Sequence, residues 1–291
     1  MFSILIPTYK NYEYLKICIK SLKKNSKYNN QILVHINTED LETENFLIKN
    51  KISYTKSETN SGMPKSLNTV SKLSTKNFIV ISHDDFYYCP DWDEYLMSEI
   101  KKCKNNFFLY TGLMIGPNQP LNCNFGENFN NFDETSLLNQ YNDLTHYDFT
   151  GSTKHPAILK KELWERVGGW SEEFYPTGGD DTDFLVKLWN VGVRDFKGVN
   201  KSRVYHFGSI TTRKKKDSEN NYLGSKANYI FLKKWGFSIN FFEKFYLRSG
   251  YNKKGIVMKK YDGLTKEPEK NIYFFFNLLL CKIKLIIAYF K

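Results

Sequence analysis

Two hydrophobic periods alternate along the first 115 residues. Ser3–Pro7 (SILIP), Gln31–Ile36 (QILVHI), Ile52–Thr55 (ISYT) and Asn77–Ser82 (NFIVIS) are short apolar, branched runs, which suit buried strands. Between them apolar residues recur at spacings of three and four. Leu15, Ile19 and Leu22 do so within Tyr12–Lys24, and Leu41–Asn50 and Pro64–Leu73 are the next helical stretches. Pro90 suits the first turn of a helix running to about Lys104, and Phe107–Ile115 reads as another strand. This alternation predicts βαβ units: an α/β, Rossmann-like fold with a mostly parallel sheet covered by helices on both faces.

Beyond Ile115 the pattern loosens. Gly116–Phe132 is rich in Asn, Gly and Pro and reads as a loop. Helical spacing returns over Lys160–Val167 and Asp180–Val191, and Ser202–Phe207 reads as a short strand. Further helical pieces lie near Asn221–Lys234 and Phe241–Leu247, and the chain ends in IYFFFNLLLCKIKLIIAYFK. No internal repeat is evident.

Of 291 residues, 41% are apolar and 16% aromatic, enough for a sizeable core and against global disorder. Five scattered cysteines without a CxxC pair fit a reducing compartment rather than a disulfide scaffold or zinc site. The start, MFSILIPTYK, has no basic segment and its apolar run stops at Pro7, so the expectation is a cytoplasmic protein. The net charge of +11 is unevenly spread. Lys197–Lys291 carries 21 Lys and Arg against 6 Asp and Glu, whereas residues 1–196 are slightly acidic. A basic tail of this kind suits an anionic partner or a solvated surface. No nucleic-acid reader motif is present, so no nucleic-acid partner is expected.

The chemistry-bearing residues follow the strands. His83, Asp84 and Asp85 stop the run FIVIS at once, and ligands of open α/β sheets bind beyond the carboxyl ends of strands. Adjacent carboxylates repel unless solvent or a cation separates them, and carboxylates suit Mg²⁺ or Mn²⁺. A turn or capping role is the plainer alternative. PTGGDDTDF (Pro176–Phe184) puts three acids in four residues at a helix start, more than a cap needs, and a rigidly held carboxylate there suits a general base. His206 ends the strand RVYHF, and imidazole suits Mn²⁺ better than Mg²⁺.

In this order these segments resemble family 2 glycosyltransferases of the GT-A fold. The resemblance covers FSILIPTYKNYEYLKICIKSL, NSGMPKSLN (Asn60–Asn68), ISHDDFYYCPDW, the stretch LKKELWERVGGWSEEFYPTGGDDTDFLVKLWNVG, and VYHFGS. It implies a catalytic domain over 1–212, with a nucleotide-sugar half (1–115) and an acceptor half (116–212), then a basic helical extension over 213–291. It implies a metal-dependent, inverting transfer from a nucleotide diphosphate sugar, with uracil the leading base, to a hydroxyl of a glycan or lipid-linked acceptor. Asp85 and His206 then correspond to the ligands of Mn²⁺ or Mg²⁺, Asp181 to the general base and Asp180 to its neighbouring acid. Pro7, Thr8, Tyr9, Asn37, Glu39, Asn60, Gly62, Asn68, His83 and Asp84 form the donor-binding set. His83 stands where the family has Asp or Asn, and Asn37 and Glu39 where it has base-reading acids. Gly169 and Trp170 correspond to an acceptor wall, against the plainer reading of a cap glycine and a core indole.

A nucleotidyltransferase would show a glycine-bearing phosphate loop after the first strand, which PTYKNYEY lacks. A catalytically silent binding module would not need both acid clusters. The terminal segment 271–291 is nearly all apolar, with Asn277, Lys284 and Lys291 on one helical face and Lys282 off it. That pattern predicts a helix lying on an anionic membrane surface, with Arg213 to Lys216, Lys253, Lys254, Lys259 and Lys260 adding attraction. The alternative is a terminal helix packed on the catalytic domain.

Overall fold

The computed structural model describes residues 1–104, 106–151, 155–208, 217–252, 255–257 and 259–289. The first half runs β1 (Phe2–Thr8), α1 (Tyr12–Asn25), β2 (Gln31–Ile36), α2 (Leu41–Lys49), β3 (Ser53–Lys56), α3 (Met63–Ser71), β4 (Phe78–Ile81), β5 (Phe86–Tyr88), α4 (Trp92–Lys102) and β6 (Phe108–Ile115). The second half runs α5 (Glu134–Gln140), β7 (Phe149–Thr150), β8 (Ala157–Lys160), α6 (Lys161–Arg166), α7 (Asp180–Asn190) and β9 (Asp195–His206). Then come α8 (Asp217–Trp235), α9 (Ile239–Phe245), β10 (Gly250–Asn252), β11 (Gly255–Val257), β12 (Lys259–Lys260) and α10 (Ile272–Tyr289).

The main sheet has the order β12-β7-β9-β6-β8-β4-β1-β2-β3, with β5 added antiparallel to β9. Strands β1 to β4 are parallel to one another, and β8 alone reverses the sheet between β4 and β6. The predicted mostly parallel α/β sheet is therefore present. Alternation along β1 explains its two covered faces. Phe2, Ile4 and Ile6 pack with Leu15, Ile19 and Leu22 of α1, while Leu5 joins Leu67 and Val70 of α3 on the other side.

Chain order reverses between β1 and β4, because β2 and β3 lie on one side of β1 and β4 on the other. Such a switch point opens a crevice at the carboxyl edge of the sheet. Thr8 pairs with Ile36 and Leu5 with Ile81, so β1 and β2 end together while β4 stops short of them, leaving the residues after Ile81 to pass beside the end of β1.

Three differences from the expected elements have local causes. The strand expected at Ser202–Phe207 is the end of the twelve-residue β9, whose polar Lys197, Asn200 and Lys201 conceal its start. Gly198 in its middle is required by packing, since the Phe149 ring fills the space of a side chain. The short β8 precedes α6 and offers only Ala157, Ile158 and Leu159 as an apolar signal. The helix after Pro90 begins two residues later, behind Asp91 in left-handed conformation.

The basic tail packs into the fold rather than beside it. Phe231, Phe242 and Leu247 join the buried cluster that holds Leu5, Ile81 and Trp189, and β12 extends the main sheet through β7. The expected boundary at 212/213 lies outside the described residues, as do Arg213 to Lys216, Lys253, Lys254 and Lys291. One polar anchor joins α8 to α7. The fully buried Asp183 meets Lys234 Nζ at 2.8 Å and accepts hydrogen bonds from Ser171 Oγ (2.5 Å) and Trp235 Nε1 (2.8 Å).

Asp183→Ala therefore leaves a lysine and an indole N–H without their shared acceptor. The expected loss is about 3 kcal/mol, the low end for a broken buried pair because the Lys234 side chain keeps solvent contact. Urea unfolding monitored by Trp fluorescence reads this. A loss below about 1 kcal/mol would mean that the tail is not anchored here.

Candidate active site

The carboxyl edge of the sheet brings together, in turn, the residues expected from the sequence to bind the donor. Thr8, the last residue of β1, donates its hydroxyl to Asp84 Oδ2 at 2.7 Å, and Asn11 Nδ2 donates to the same oxygen at 3.2 Å. Asp84 is buried, and burial followed by the neighbouring Asp85 charge raises its pKa well into the neutral range. Pro7 lies half-buried in β1 and Tyr9 just beyond it.

Asp85 is also buried, and β5 decides its neighbour. The antiparallel register Phe86↔His206 and the bond from Phe207 N to Asp85 O (3.2 Å) draw the end of β9 against the carboxylate. His206 Nε2 lies 3.3 Å from Asp85 Oδ2, and His83 Nδ1 lies 3.8 Å from Asp85 Oδ1. One ligand atom from each of His83, Asp85 and His206 falls within 4.8 Å of the others, close enough to share a cation. The His83 ring is stacked on Phe86 at 4.9 Å between centroids, which fixes its plane. The geometry thus groups His83 with Asp85 and His206. Two imidazoles and one carboxylate form a donor set that fits Mn²⁺ more naturally than Mg²⁺.

A series of hydrogen bonds runs from this edge to Pro176, in the turn before the second acid cluster. Asn37 N donates to Thr8 O (2.8 Å), and Asn37 Nδ2 donates to Asn60 Oδ1 (2.9 Å). Asn60 Oδ1 also accepts from Gly62 N, and Met63 N donates to Pro176 O at 2.8 Å. Gly62 has φ +81°, and a Cβ there would sit 2.8 Å from Tyr175 Cδ2, so the contact requires glycine. Glu39 is exposed beyond β2, beside Asp40, which caps α2.

The three acids at the start of α7 have separate fates. Asp180 is buried and folds back on its own turn, accepting from Thr177 Oγ1 (3.0 Å) and Gly178 N (2.9 Å). Burial, then the charge of Asp181, pushes its pKa up to about 7. Asp183 anchors the tail, as described above. Asp181 is half-buried. Its Oδ1 accepts from Thr182 N at 2.7 Å, and its Oδ2 takes no hydrogen bond from the described residues. Of the three it is the carboxylate least committed to holding the fold.

Asn68 and the glycine turn form a clamp. Asn68 Nδ2 donates to Trp170 O and Trp170 N donates to Asn68 Oδ1, both at 2.8 Å. A side chain at Gly169 (φ +62°) would strike Asn68 Oδ1. Trp170 is only 2% exposed and packs near Phe184 and His155, so its indole lines the core rather than an open wall. Asn68 Nδ2 also donates to Glu172 Oε1 at 3.0 Å, so its amide joins α3 to this turn. Sequence reasoning missed Asn11 and His155, whose ring lies 4.5 Å from His83. A lone Asn and a lone His at no repeating spacing gave no signal.

A profile of "Glycosyl transferase family 2" matches residues 3–152, just over half of the chain. No curated protein sequence matches. A crystal structure of S. aureus TarS 1-349 resembles the fold with a TM-score of 0.54 at 15% identity, covering 81% of this chain and 74% of that one. A longer TarS structure gives 0.54 at 17%, with 81% and 44% covered, so this chain spans under half of that protein. TarS 1-349 in complex with UDP-GlcNAc gives 0.52 at 14%, with 81% and 73% covered.

The raised pKa of Asp180 has a consequence for stability. Its stabilising contribution is fully present below the unfolded value of 3.8 and is lost as pH rises through about 7. Asp180→Asn keeps the acceptor oxygen without the charge. Relative to wild type, its melting temperature should rise steadily between about pH 4 and about pH 8. A difference independent of pH would show that Asp180 is ionised throughout. With its GT-A-like sheet, its acids at the switch point and a family match over residues 3–152, the chain belongs to glycosyl transferase family 2.

Proposed function

We propose that the chain is a metal-dependent, inverting glycosyltransferase. It moves a sugar from a nucleotide diphosphate sugar, UDP-linked, to a hydroxyl of a glycan or lipid-linked acceptor. The observation that carries this reading is the meeting of His83, Asp85 and His206 at the switch-point crevice, beside the Thr8–Asp84 bond. The TarS complex with UDP-GlcNAc supports a uridine donor on a similar fold. Five cysteines that form no disulfide among the described residues fit a reducing, cytoplasmic setting.

Asp85 and His206, with His83, would hold Mn²⁺ or Mg²⁺. When bound, such an ion supplies Lewis-acid stabilisation of the negative charge developing on the leaving diphosphate. Thr8 and Asn11 fix Asp84 beside it, and the Asn37–Asn60–Gly62 chain keeps the donor edge and the α7 acids in register. Asp181 takes the proton from the acceptor hydroxyl as that hydroxyl attacks the anomeric carbon from the face opposite the leaving group. A single displacement of this kind inverts the anomeric centre. Asp180 shapes the turn and stays out of the proton transfer, since both its oxygens are held.

The test mixes a panel of nucleotide sugars with candidate acceptors and Mn²⁺, and follows release of nucleotide diphosphate. Acceptor-dependent release supports transfer, whereas pyrophosphate release would support nucleotidyl transfer instead. Asp181→Asn should lower turnover roughly 10²–10⁴-fold while leaving donor affinity within about twofold. Loss of donor binding or of folding would make Asp181 a structural residue. Asp85→Ala should weaken Mn²⁺ binding at least roughly tenfold, read by electron paramagnetic resonance of free Mn²⁺. An unchanged Mn²⁺ isotherm would remove Asp85 from the cation site.

A further inference from the structure

The terminal helix α10 is apolar around most of its circumference, yet only one side is covered. Phe274 and Cys281 are buried against Leu232 and Phe241, and Leu278 and Leu285 pack beside them. Spacings of four, three and four make these residues one row along the helix. Phe274 meets Phe241 and Phe245 edge-on, at 5.0 and 5.2 Å between centroids. This much agrees with a helix packed on the domain.

The opposite side is bare. Phe276, Leu279, Ile283, Ile286 and Ile287 are each 44–57% exposed and centre on the face turned away from the buried row. At 100° per residue, Lys282 and Lys284 fall on either flank of Ile283, at the two borders of that face. No acidic residue follows Glu269, whereas Lys270, Lys282, Lys284 and Lys291 do. Among the described residues no helix is long and apolar enough to cross a membrane. An exposed apolar face of this length on a folded chain marks a contact surface.

We infer that this face of α10 docks on an anionic lipid bilayer, with the helix lying in the interface plane. The arrangement differs from the simple amphipathic helix expected from the sequence. Here the protein covers one apolar row, lipid covers the opposite one, and the lysines stand between them at headgroup level. Their charge is complementary to anionic phosphates, and their alkyl stems extend the apolar face. A second copy fits the same face less well. Two such helices face to face would bring their flanking lysines together, with no acid on either helix to pair them. The inference does not depend on the proposed reaction.

The full chain is mixed with vesicles of equal parts phosphatidylcholine and phosphatidylglycerol, and separately of phosphatidylcholine alone, then floated on a density gradient. Flotation with the anionic vesicles is expected, and Lys282→Glu with Lys284→Glu should abolish the preference for them. The fourfold variant Phe276→Ser, Leu279→Ser, Ile283→Ser, Ile286→Ser should cut the bound fraction roughly tenfold or more. All four positions are exposed, so its melting temperature should stay close to that of wild type. Three results overturn the inference. The chain stays in solution with both vesicle types; the fourfold variant floats as well as wild type; or light scattering shows a lipid-free dimer that the fourfold variant dissolves, which would assign the face to a second copy.

Discussion

The antiparallel pairing of Phe86 with His206 is the constraint on which the candidate site depends. It joins a three-residue strand after β4 to the far end of β9, and so brings a histidine from late in the chain against Asp85. Two adjacent, buried carboxylates at Asp84 and Asp85 would otherwise be a liability of desolvation and mutual repulsion. The fold answers in two ways. Thr8 and Asn11 hydrogen-bond Asp84, whose pKa rises, while two imidazoles approach Asp85. A divalent cation shared by these groups would complete the compensation, and in the proposed function it would hold the donor diphosphate near the switch point between β1 and β4.

Much of the architecture was readable because parallel strands buried on both faces make dense apolar runs. β1, β2 and β4 appear in the sequence within a residue or two of their true bounds. Where strands are partly polar or very short, the signal fails. β9 carries Lys197, Asn200 and Lys201 along its first half, and β8 shows three apolar residues before a helix begins. Both are specified by their neighbours rather than by their own composition. The Phe149 ring over Gly198 and the pairing of β8 with β4 and β6 are tertiary facts.

The site divides along the same line. The acid pair after β4 and the acid cluster at α7 are local signals, and the sequence locates both. Their division of labour is not local. Asp180 is committed to its own turn, Asp183 to Lys234 on the tail, and Asp181 to neither. The sequence could register three acids as too many for a cap, but the partner of Asp183 lies on a segment whose packing it could not foresee. Trp170 shows the reverse error. A tryptophan after two glycines suggests a sugar-facing indole, and the structure spends it on the core beside Phe184. The tail also reads differently once folded, since α8 and α9 complete the core under α7 before α10 lies across them.

The account's central claim is that a donor diphosphate and a divalent cation meet at Asp85 and His206, with Asp181 across the anomeric carbon. Anomalous diffraction from crystals grown with Mn²⁺ and a uridine diphosphate sugar tests this most directly. The account predicts a manganese peak at Asp85 and His206 beside the donor diphosphate, with the anomeric carbon turned toward Asp181. A donor seated with its diphosphate away from Asp85, or manganese bound elsewhere in its presence, would contradict it.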